Sequence, residues 1–521
     1  MAEAREEGLV ALAAPTWGKL AASGRSMMEL RMPLLLSSAI VLVTCSPEKA
    51  EVEPRPFLVI CFDVEDYTSP ESVGMDDIPK WMAETLTEAG VTGSFFVIGE
   101  KARSLEARGR RDVIEAMARH DVGSHTSLGS IHPTVTEILE HASFEAGVET
   151  MVENEGKGLD DLERIFGQRP AALARHGGSY GPQLVTALSR LGAAYVYSPI
   201  SLPGHNAVWF CNTLNFHGEG DFGFFDDAYH DDALFDPMLE ALDERIPEKT
   251  RGLDVVAFFA NHPSKVRSIQ FWDFNYYKGA NPGPDEWETP ELRPLETMET
   301  AKKNFRRLVE HLASRDDVEL TTFREMVERF GHQADTIDQA RLAGIAARVL
   351  EEREVVIDPE YSPAETFAAL AAALTVYGAE GGAPEQTECR HPLGPLQMPP
   401  REPGVEAVTG DEALELARRA HDAIESSGHL PHALATDGGE IGAGSLLALF
   451  SEVYGDSLQG RVADTYAVVS FAPYPTENEA AIVEEVRQCK EWPVHREDLD
   501  MSDLVEMTRR QLWTLKPALA R

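Results

Sequence analysis

The chain has 521 residues, which is enough for two or three domains, and its composition is that of an ordinary globular protein. Its formal net charge of −40 argues against nucleic acid and against anionic membrane surfaces as partners. The 5 cysteines are widely scattered and form no CxxC pair, which argues against a zinc ribbon and a dense disulfide framework.

The first predicted element is an apolar segment near the N-terminus. Residues 33–44, PLLLSSAIVLVT, are too few for a comfortable transmembrane helix and favour a secretory signal. With Met28 as the start, the segment resembles a bacterial lipoprotein signal with Cys45 as the lipidated residue, although Thr44 departs from that pattern. We therefore expect residues 1–54 to be a signal-like segment with a linker, and the protein to be exported to the cell envelope. A buried N-terminal helix in a cytoplasmic protein is the alternative.

The next predicted element is a strand in FLVICFDVEDY, residues 57–67. Its unbroken apolar run is typical of a strand that is buried on both faces. The run ends in three carboxylates, Asp63, Glu65 and Asp66. Clustered carboxylates repel one another and resist desolvation, so a metal ion at the strand end would resolve the conflict. A solvated acidic loop is the alternative.

Helices and buried strands alternate over the following 200 or so residues, which predicts a parallel sheet or a barrel. Apolar residues at helical spacing between 78 and 89 indicate a helix with Gly90 as its C-cap. Three further runs are typical of strands: VTGSFFVIG, DVGSHTS and LDVVAFFANHP. In such folds the loops at the C-terminal ends of the strands carry the chemistry. The residues at these ends are Asp63, Glu65, His125 and His262.

Beyond residue 340 the sequence becomes rich in Ala, Glu, Pro and Gly, and it predicts helices such as residues 362–374 and 411–424. A weak internal repeat relates DPEYSPAETFAALAAAL to DGGEIGAGSLLALFSEVY. This part of the sequence contains no cluster of ligands or nucleophiles. We therefore expect residues 340–521 to be a separate helix-rich α/β region with a binding or spacer role.

A second histidine, His132, follows His125 in HTSLGSIHP. Two histidines and an acid at strand ends are suitable ligands for a hydrolytic zinc site with an open water position. A histidine pair in a loop is also common without a metal. The acidic end of the first strand favours the metal.

Five motifs in this order resemble those of the polysaccharide deacetylases, the family 4 carbohydrate esterases: FDVEDY, TGSFFVIG, GSHTSLGSIHP, ARHGGSYGP and FFANHP. The resemblance implies an α/β fold, a distorted (β/α)7-type barrel over residues 55–332. It implies removal of acetyl groups from N-acetylated sugars, as in chitin or peptidoglycan. It also implies a divalent metal, zinc in the first place, with cobalt, nickel and manganese as alternatives.

The resemblance implies a metal site at the first two motifs. Asp63 matches the catalytic base, and Glu65 matches the metal-binding acid of the acid-x-acid form, with Asp66 as the fallback. His125 matches the first metal-binding histidine. The second normally follows four residues later, where this chain has Gly129. His132 is the expected substitute, and weak metal binding or a degenerate site is the alternative.

The remaining motifs imply groups that assist the chemistry. Arg175 matches the arginine that pairs with the base, and His262 matches the histidine that protonates the leaving amine. Tyr180 is expected to donate a backbone N–H to the oxyanion. For the neighbouring glycines, Gly177 and Gly178, a plain tight turn is the alternative, and for His262 a hydrogen-bonded core histidine.

The loop of residues 270–287 is rich in aromatic residues, and we expect Trp272 and Tyr276 in it to stack on sugar rings. The alternative is that these side chains cover the barrel mouth. A further group of acids and histidines has no assigned role: His217, Asp226, Asp227, His230, Asp231 and Asp232.

The sequence therefore predicts a metal-dependent hydrolase of carbon–nitrogen bonds that removes N-acetyl groups from an amino-sugar polysaccharide. The alternatives are an amidohydrolase of the same fold acting on a small non-glycan amide, and a catalytically degenerate glycan-binding protein. The stretch SSGHLPHALATDGGEIGAGSLLALF is faintly similar to pseudomurein-binding repeats, which implies a cell-wall polymer as a second partner. Beyond a lipid attached at Cys45, no integral membrane span is expected.

Overall fold

The computed structural model describes residues 55–218, 225–250 and 256–520. The predicted signal-like segment and Cys45 lie outside the described residues. Within these ranges, no helix has the length and apolar character needed to cross a membrane.

The strands comprise a large sheet and three two-stranded pairs. Their bounds are β1 (Phe57–Val64), β2 (Ser94–Val97), β3 (Asp121–Ser124), β4 (Ala172–Ala174), β5 (Ala194–Ser198), β6 (Ala207–Phe210), β7 (Thr213–His217), β8 (Val256–Asn261), β9 (Glu319–Thr321), β10 (Thr336–Asp338), β11 (Gln386–Glu388), β12 (Ala407–Thr409), β13 (Ala433–Thr436), β14 (Gly439–Gly442), β15 (Thr465–Ala467) and β16 (Lys516–Pro517).

The helices lie mostly between the strands of the large sheet and in the C-terminal region. Their bounds are α1 (Asp77–Ala89), α2 (Gly99–Ala107), α3 (Arg111–Met117), α4 (Val135–Leu139), α5 (Phe144–Phe166), α6 (Pro182–Leu191), α7 (Phe225–Ala228), α8 (Asp232–Thr250), α9 (Pro263–Arg267), α10 (Met298–Ala313), α11 (Phe323–Phe330), α12 (Gln339–Glu352), α13 (Pro363–Glu380), α14 (Gly410–Ser427), α15 (Ala443–Ser457), α16 (Glu479–Gln488) and α17 (Ser502–Gln511).

Ten strands form the large, curled sheet, in the order β16-β6-β7-β5-β4-β3-β2-β1-β8, with β9 pairing on β1. Strands β1 to β5 and β8 pair in parallel with their neighbours, and β6 and β7 form an antiparallel hairpin. The predicted α/β class with a distorted, barrel-type sheet is confirmed. The carboxyl ends of β1, β3, β4 and β8 therefore come together at one edge of the sheet.

Strand β1 is apolar from Phe57 to Phe62 because each of its faces packs into a different core. Leu58, Ile60 and Phe62 pack with residues of α1 and α10. Val59 and Cys61 pack on the other face of the sheet, together with residues of α11. Because side chains alternate along a strand, Asp63 belongs to the same face as Val59 and Cys61.

The predicted helix-rich C-terminal region is confirmed, and residues of α12 to α15 form a core of their own. The order of strand, two helices and strand occurs twice in it, as β10-α12-α13-β11 and as β12-α14-α15-β15, with the hairpin β13-β14 inside the second. The two stretches that the sequence relates by a weak repeat lie within these units, the first in α13 and the residues before it and the second in β14 and α15. The likeness to cell-wall-binding repeats stays a prediction.

The last part of the C-terminal region packs on the barrel. Residues between 482 and 515 share a core with α4 to α6 and with β4 to β6. The final strand, β16, pairs with β6 in antiparallel fashion, with Lys516 opposite Trp209. The domain limits at 332 and 340 stay predictions, but the segment around α16 and α17 contacts the barrel beside the strand ends described next.

Candidate metal centre and active site

Three buried side chains meet at the carboxyl ends of strands of the large sheet: Glu65 after β1, His125 after β3 and His176 after β4. Each offers one ligand atom, and these atoms lie within 4.8 Å of one another. Glu65 Oε1 is 3.4 Å from His125 Nε2 and 3.4 Å from His176 Nδ1.

Hydrogen bonds outside this group orient the two imidazoles. His125 Nδ1 lies 3.1 Å from the carbonyl oxygen of Ala174, to which it donates, so Nε2 is the ring nitrogen that faces the carboxylates. His176 Nε2 lies 3.0 Å from Ser130 Oγ. Its Nδ1 is buried and has no hydrogen-bond partner in the described part of the chain. A buried, unpartnered nitrogen that faces a carboxylate is what a metal ligand looks like without its metal.

The charges at this point also fit a cation. Burial would raise the pKa of Glu65, but the neighbouring imidazoles of His125 and His176 outweigh burial and hold that pKa well below its ordinary value. Burial lowers the pKa of His176, which favours the neutral form that binds metals. A carboxylate and two imidazoles are the donor set of hydrolytic zinc sites. The three residues therefore fit a divalent metal ion.

A second set of buried groups lies beside the first. Asp63 Oδ2 is 3.9 Å from His125 Nε2 and 3.6 Å from His262 Nε2. His262 Nδ1 is 2.9 Å from Asp226 Oδ2, and the backbone N–H of His262 donates to the same oxygen at 3.0 Å. Asp63, His262 and Asp226 thus form a chain of acid, imidazole and acid.

The protonation states in this chain follow from burial and charge. Burial raises the pKa of Asp63, which makes it a better proton acceptor than an exposed carboxylate. Burial opposes protonation of His262, but Asp226 and then Asp63 outweigh it and raise the pKa of His262 to about 9. His262 is therefore protonated at neutral pH and is able to donate a proton.

Two aromatic side chains contact the carboxylates. Trp272 Nε1 donates to Glu65 Oε2 at 3.2 Å, and Tyr197 Oη lies 3.5 Å from Asp63 Oδ1. Tyr197 has a φ of 59°, and it lies where the pairing of β5 with β7 shifts register. A bulge of this kind often redirects a side chain at an active site. Tyr197, His176 and Asp226 were not predicted as site residues.

The structure corrects the prediction that His132 is a metal ligand. His132 Nδ1 lies 2.7 Å from Glu137 Oε2, and its Nε2 lies 3.0 Å from the carbonyl oxygen of Tyr276. The position four residues after His125 is Gly129, whose φ of 62° disfavours a side chain, and a Cβ there would lie 2.9 Å from Ile98 Cδ1. His176, and not His132, lies with Glu65 and His125.

The carboxylate of Asp66, the fallback ligand, accepts hydrogen bonds from the turn that follows it and does not face the histidines. Its Oδ1 accepts hydrogen bonds from the backbone N–H groups of Thr68 and Ser69, both at 3.0 Å, and its Oδ2 accepts one from Ser69 Oγ at 2.6 Å. Glu65 is therefore the acid of this strand end that faces the histidines, as predicted.

Arg175 and Tyr180 do not take the positions that the resemblance implies. The guanidinium of Arg175 donates to Cys489 Sγ at 3.0 Å, whereas the side chains that contact the Asp63 carboxylate are His125, His262 and Tyr197. The backbone N–H of Tyr180 donates to Thr136 Oγ1 at 2.9 Å, and the whole residue is buried. An N–H that already has a buried acceptor is unsuited to an oxyanion.

Trp272 and Tyr276 do not present a surface on which a sugar would stack. Their side chains are 0% and 1% exposed, and they pack with Tyr67 and with Val494 of the C-terminal region. The alternative, that these side chains cover the barrel mouth, describes them correctly. Trp272 acts on the site through its hydrogen bond to Glu65.

Neither a protein-family model nor a curated protein matches this chain. Solved structures are similar to it over about half of its length. A protein assigned as a polysaccharide deacetylase of Mycobacterium smegmatis has 14% identity and a TM-score of 0.34, and the match covers 53% of this chain and 91% of that one. The peptidoglycan deacetylase PdaC of Bacillus subtilis has 11% identity and a TM-score of 0.28, over 53% and 91%. An allantoinase has 14% identity and a TM-score of 0.34, over 52% and 89%. TM-scores this low assign no role to an individual residue of this chain.

The metal centre yields the first prediction. Replacing His176 by Ala removes one of the three candidate ligands and should lower zinc affinity by more than about 100-fold. Loss of a residue that only hydrogen-bonds to a metal ligand already lowers metal affinity by about 10- to 100-fold. Replacing His132 by Ala should leave zinc affinity within a few-fold of the wild type. Competition with a chromophoric chelator measures both, with circular dichroism to show that each variant is folded. Equal losses of zinc in the two variants would contradict the assignment of His176.

Proposed function

We propose that the protein is a metal-dependent hydrolase that removes N-acetyl groups from an amino-sugar polysaccharide of the peptidoglycan or chitin type. The observation that carries the proposal is the buried Glu65–His125–His176 group with Asp63 and His262 beside it. Amide hydrolysis needs an activated water, a polarised carbonyl and a proton for the departing nitrogen. The five sequence motifs resemble those of the polysaccharide deacetylases in their order, and this resemblance supports an N-acetylated sugar as the substrate.

Zinc is the proposed metal, because two imidazoles and one carboxylate match the ligands of hydrolytic zinc sites. Bound by Glu65, His125 and His176, it would supply Lewis acidity to the amide carbonyl and to a water. Trp272 keeps the carboxylate of Glu65 oriented through its N–H. The alternative of a degenerate site depends on Gly129, which stands where a second histidine ligand is expected. His176 would supply that third ligand from the end of a different strand.

The proton transfers fall to the chain's own groups. Asp63 is placed to accept the proton of the attacking water, and its raised pKa favours that role. His262 is protonated and lies 3.6 Å from Asp63, so it is placed to protonate the amine as the amide bond breaks. Asp226 fixes the orientation of His262 through Nδ1 and keeps it charged.

An amidohydrolase acting on a small cyclic amide is the second candidate within the same fold. It would use the same acid, base and metal, so the site itself does not favour it. Activity on a cyclic ureide, with none on an N-acetylated glycan, would replace the leading proposal by this one.

We also propose that the protein acts in the cell envelope, with its C-terminal region holding it to a wall polymer. The support is the apolar segment of residues 33–44 before Cys45 and the internal repeat of the C-terminal region. Attachment of this kind raises the effective concentration of substrate. Fractionation that finds the full chain only in the cytoplasm would refute the proposal.

Asp63 gives the test of the reaction. The zinc-loaded wild type should release acetate from N-acetylated oligosaccharides. Asp63→Asn should reduce kcat by about 10²- to 10⁴-fold, the range for loss of a general base. Its zinc content should stay close to that of the wild type, because Asp63 is not one of the three ligands. Asp285→Asn, the same change at an exposed residue, is the control.

No acetate from any N-acetylated glycan, in folded protein that holds zinc, would sink the deacetylase proposal. Full activity of Asp63→Asn would leave the deacetylase proposal standing but remove Asp63 as the base.

Asp226 gives a prediction about pH. Asp226 is a main reason that the pKa of His262 is raised to about 9, so Asp226→Asn should lower that pKa. Activity that needs protonated His262 is lost as the pH rises through this pKa. The alkaline limb of the profile of kcat/KM against pH should therefore move to lower pH in the variant, by about one unit or more. An alkaline limb that does not move would mean that another group donates the proton.

A further inference from the structure

A cavity of about 650 Å³ lies beside the candidate metal centre, between the barrel and the segment around α16. Its barrel side is lined by the loop after β4 and by the end of β7, and its other side by Glu485, Gln488, Cys489 and Trp492. The indole of Trp492 also contacts the metal centre, since its ring meets that of His176 edge-on at 4.9 Å between centroids. The cavity and the metal centre therefore share a wall.

The close fit of the two sides depends on two glycines. Gly177 has a φ of 51°, and a Cβ there would overlap the indole of Trp492. A Cβ on Gly178 would overlap the carbonyl oxygen of Cys489. Side chains at these positions would push the C-terminal segment away from the loop. The two glycines lie in a tight turn, closed by a hydrogen bond from the backbone N–H of Ser179 to the carbonyl oxygen of His176 at 3.0 Å, and they also allow this contact.

Further hydrogen bonds hold the segment in place. Trp492 Nε1 donates to Asp273 Oδ2 at 3.3 Å. The backbone N–H groups of Lys278 and Gly279 donate to the carbonyl oxygens of Pro493 and Val494 at 2.8 and 3.0 Å. The C-terminal wall of the cavity is therefore a fixed part of the site.

The lining of the cavity is polar and carries both signs of charge. Arg175 offers a guanidinium, Gln488 an amide and Glu485 a carboxylate, which lies 3.5 Å from His217 Nδ1. Because the lining carries a positive guanidinium and a negative carboxylate, it suits a neutral ligand with many hydroxyl groups better than a strongly charged ligand. An indole in the same wall suits the C–H face of a sugar ring. The volume lies in the usual range of small-molecule sites.

We propose that this cavity is a subsite for a sugar unit next to the acetylated one, and that the C-terminal segment supplies half of it. The proposal rests on the proposed function, because the cavity adjoins the metal centre that would act on the acetyl group. It predicts that the protein favours longer oligosaccharides over short ones. Glu485, Gln488 and Arg175 would hydrogen-bond the hydroxyl groups of the additional unit.

The test compares neighbouring residues of α16. Glu485 lines the cavity, whereas Glu484 is exposed and does not line it. Glu485→Gln and Glu484→Gln make the same change of charge on the same helix. Trp492 is left unchanged, because its contact with His176 would mix the two sites. The substrates are the dimer and the pentamer of N-acetylglucosamine, with calorimetric binding of the pentamer as a readout that needs no reaction.

Glu485→Gln should lower the ratio of kcat/KM for the pentamer to that for the dimer by about tenfold, the effect of one hydrogen bond to a charged group. Gln488→Ala should lower the ratio in the same direction, and Glu484→Gln should not change it. Ratios for Glu485→Gln and Gln488→Ala equal to that of the wild type, in folded and active protein, would overturn the subsite.

The subsite and the deacetylase reaction fail in different ways. If no acetate is released from any glycan, the proposed reaction fails and binding alone decides the subsite. Pentamer binding that is weakened by Glu485→Gln and unaffected by Glu484→Gln would then support it. A wild-type protein that does not bind the pentamer, or binding that Glu485→Gln leaves unchanged, would overturn it.

Discussion

Two carboxylates at the end of a buried strand, Asp63 and Glu65, are the constraint on which the rest of the site depends. Burial opposes their negative charge, since Asp63 is 5% and Glu65 7% exposed. The structure compensates by bringing imidazoles from the ends of β3, β4 and β8 to them. A divalent cation bound by Glu65, His125 and His176 would complete this compensation. The same burial gives Asp63 the raised pKa of a useful base.

The C-terminal segment is the second determinant of the site, although it lies more than 300 residues after the strand that carries Glu65. It covers Trp272 and supplies the indole against His176. His132 is not one of the three candidate ligands, but it helps to hold the C-terminal segment against the barrel. Its partner Glu137 also accepts a hydrogen bond from the backbone N–H of Arg496 at 2.9 Å. Burial would raise the pKa of Glu137, but His132 and these hydrogen bonds outweigh burial and lower that pKa to about 2. The barrel mouth is therefore shaped jointly by the barrel and the C-terminal region.

The sequence predicts the site residues that lie at the ends of long apolar strands, but not the site residues that lie at the ends of short strands. Asp63, Glu65 and His262 were found because β1 and β8 are unbroken apolar runs. Strand β4 has three residues, ALA, too few to be recognised, so His176 at its end was overlooked in favour of His132. The role of Arg175 could not be predicted because its partner Cys489 lies 314 residues away. The role of Tyr180 could not be predicted because the acceptor of its backbone N–H, Thr136 Oγ1, comes from a different segment of the barrel. The prediction that Trp272 stacks on a sugar ring is wrong for a different reason. A loop rich in aromatic residues has the same composition whether its side chains face a ligand or pack in a core.

The most direct measurement of the central claim is anomalous diffraction from crystals of the full chain grown with zinc. A strong peak is expected within about 2.0–2.2 Å of a carboxylate oxygen of Glu65, of His125 Nε2 and of His176 Nδ1, the usual distances of zinc to such ligands. A peak at His132, or no peak among the three residues in a crystal that holds zinc elsewhere, would contradict it.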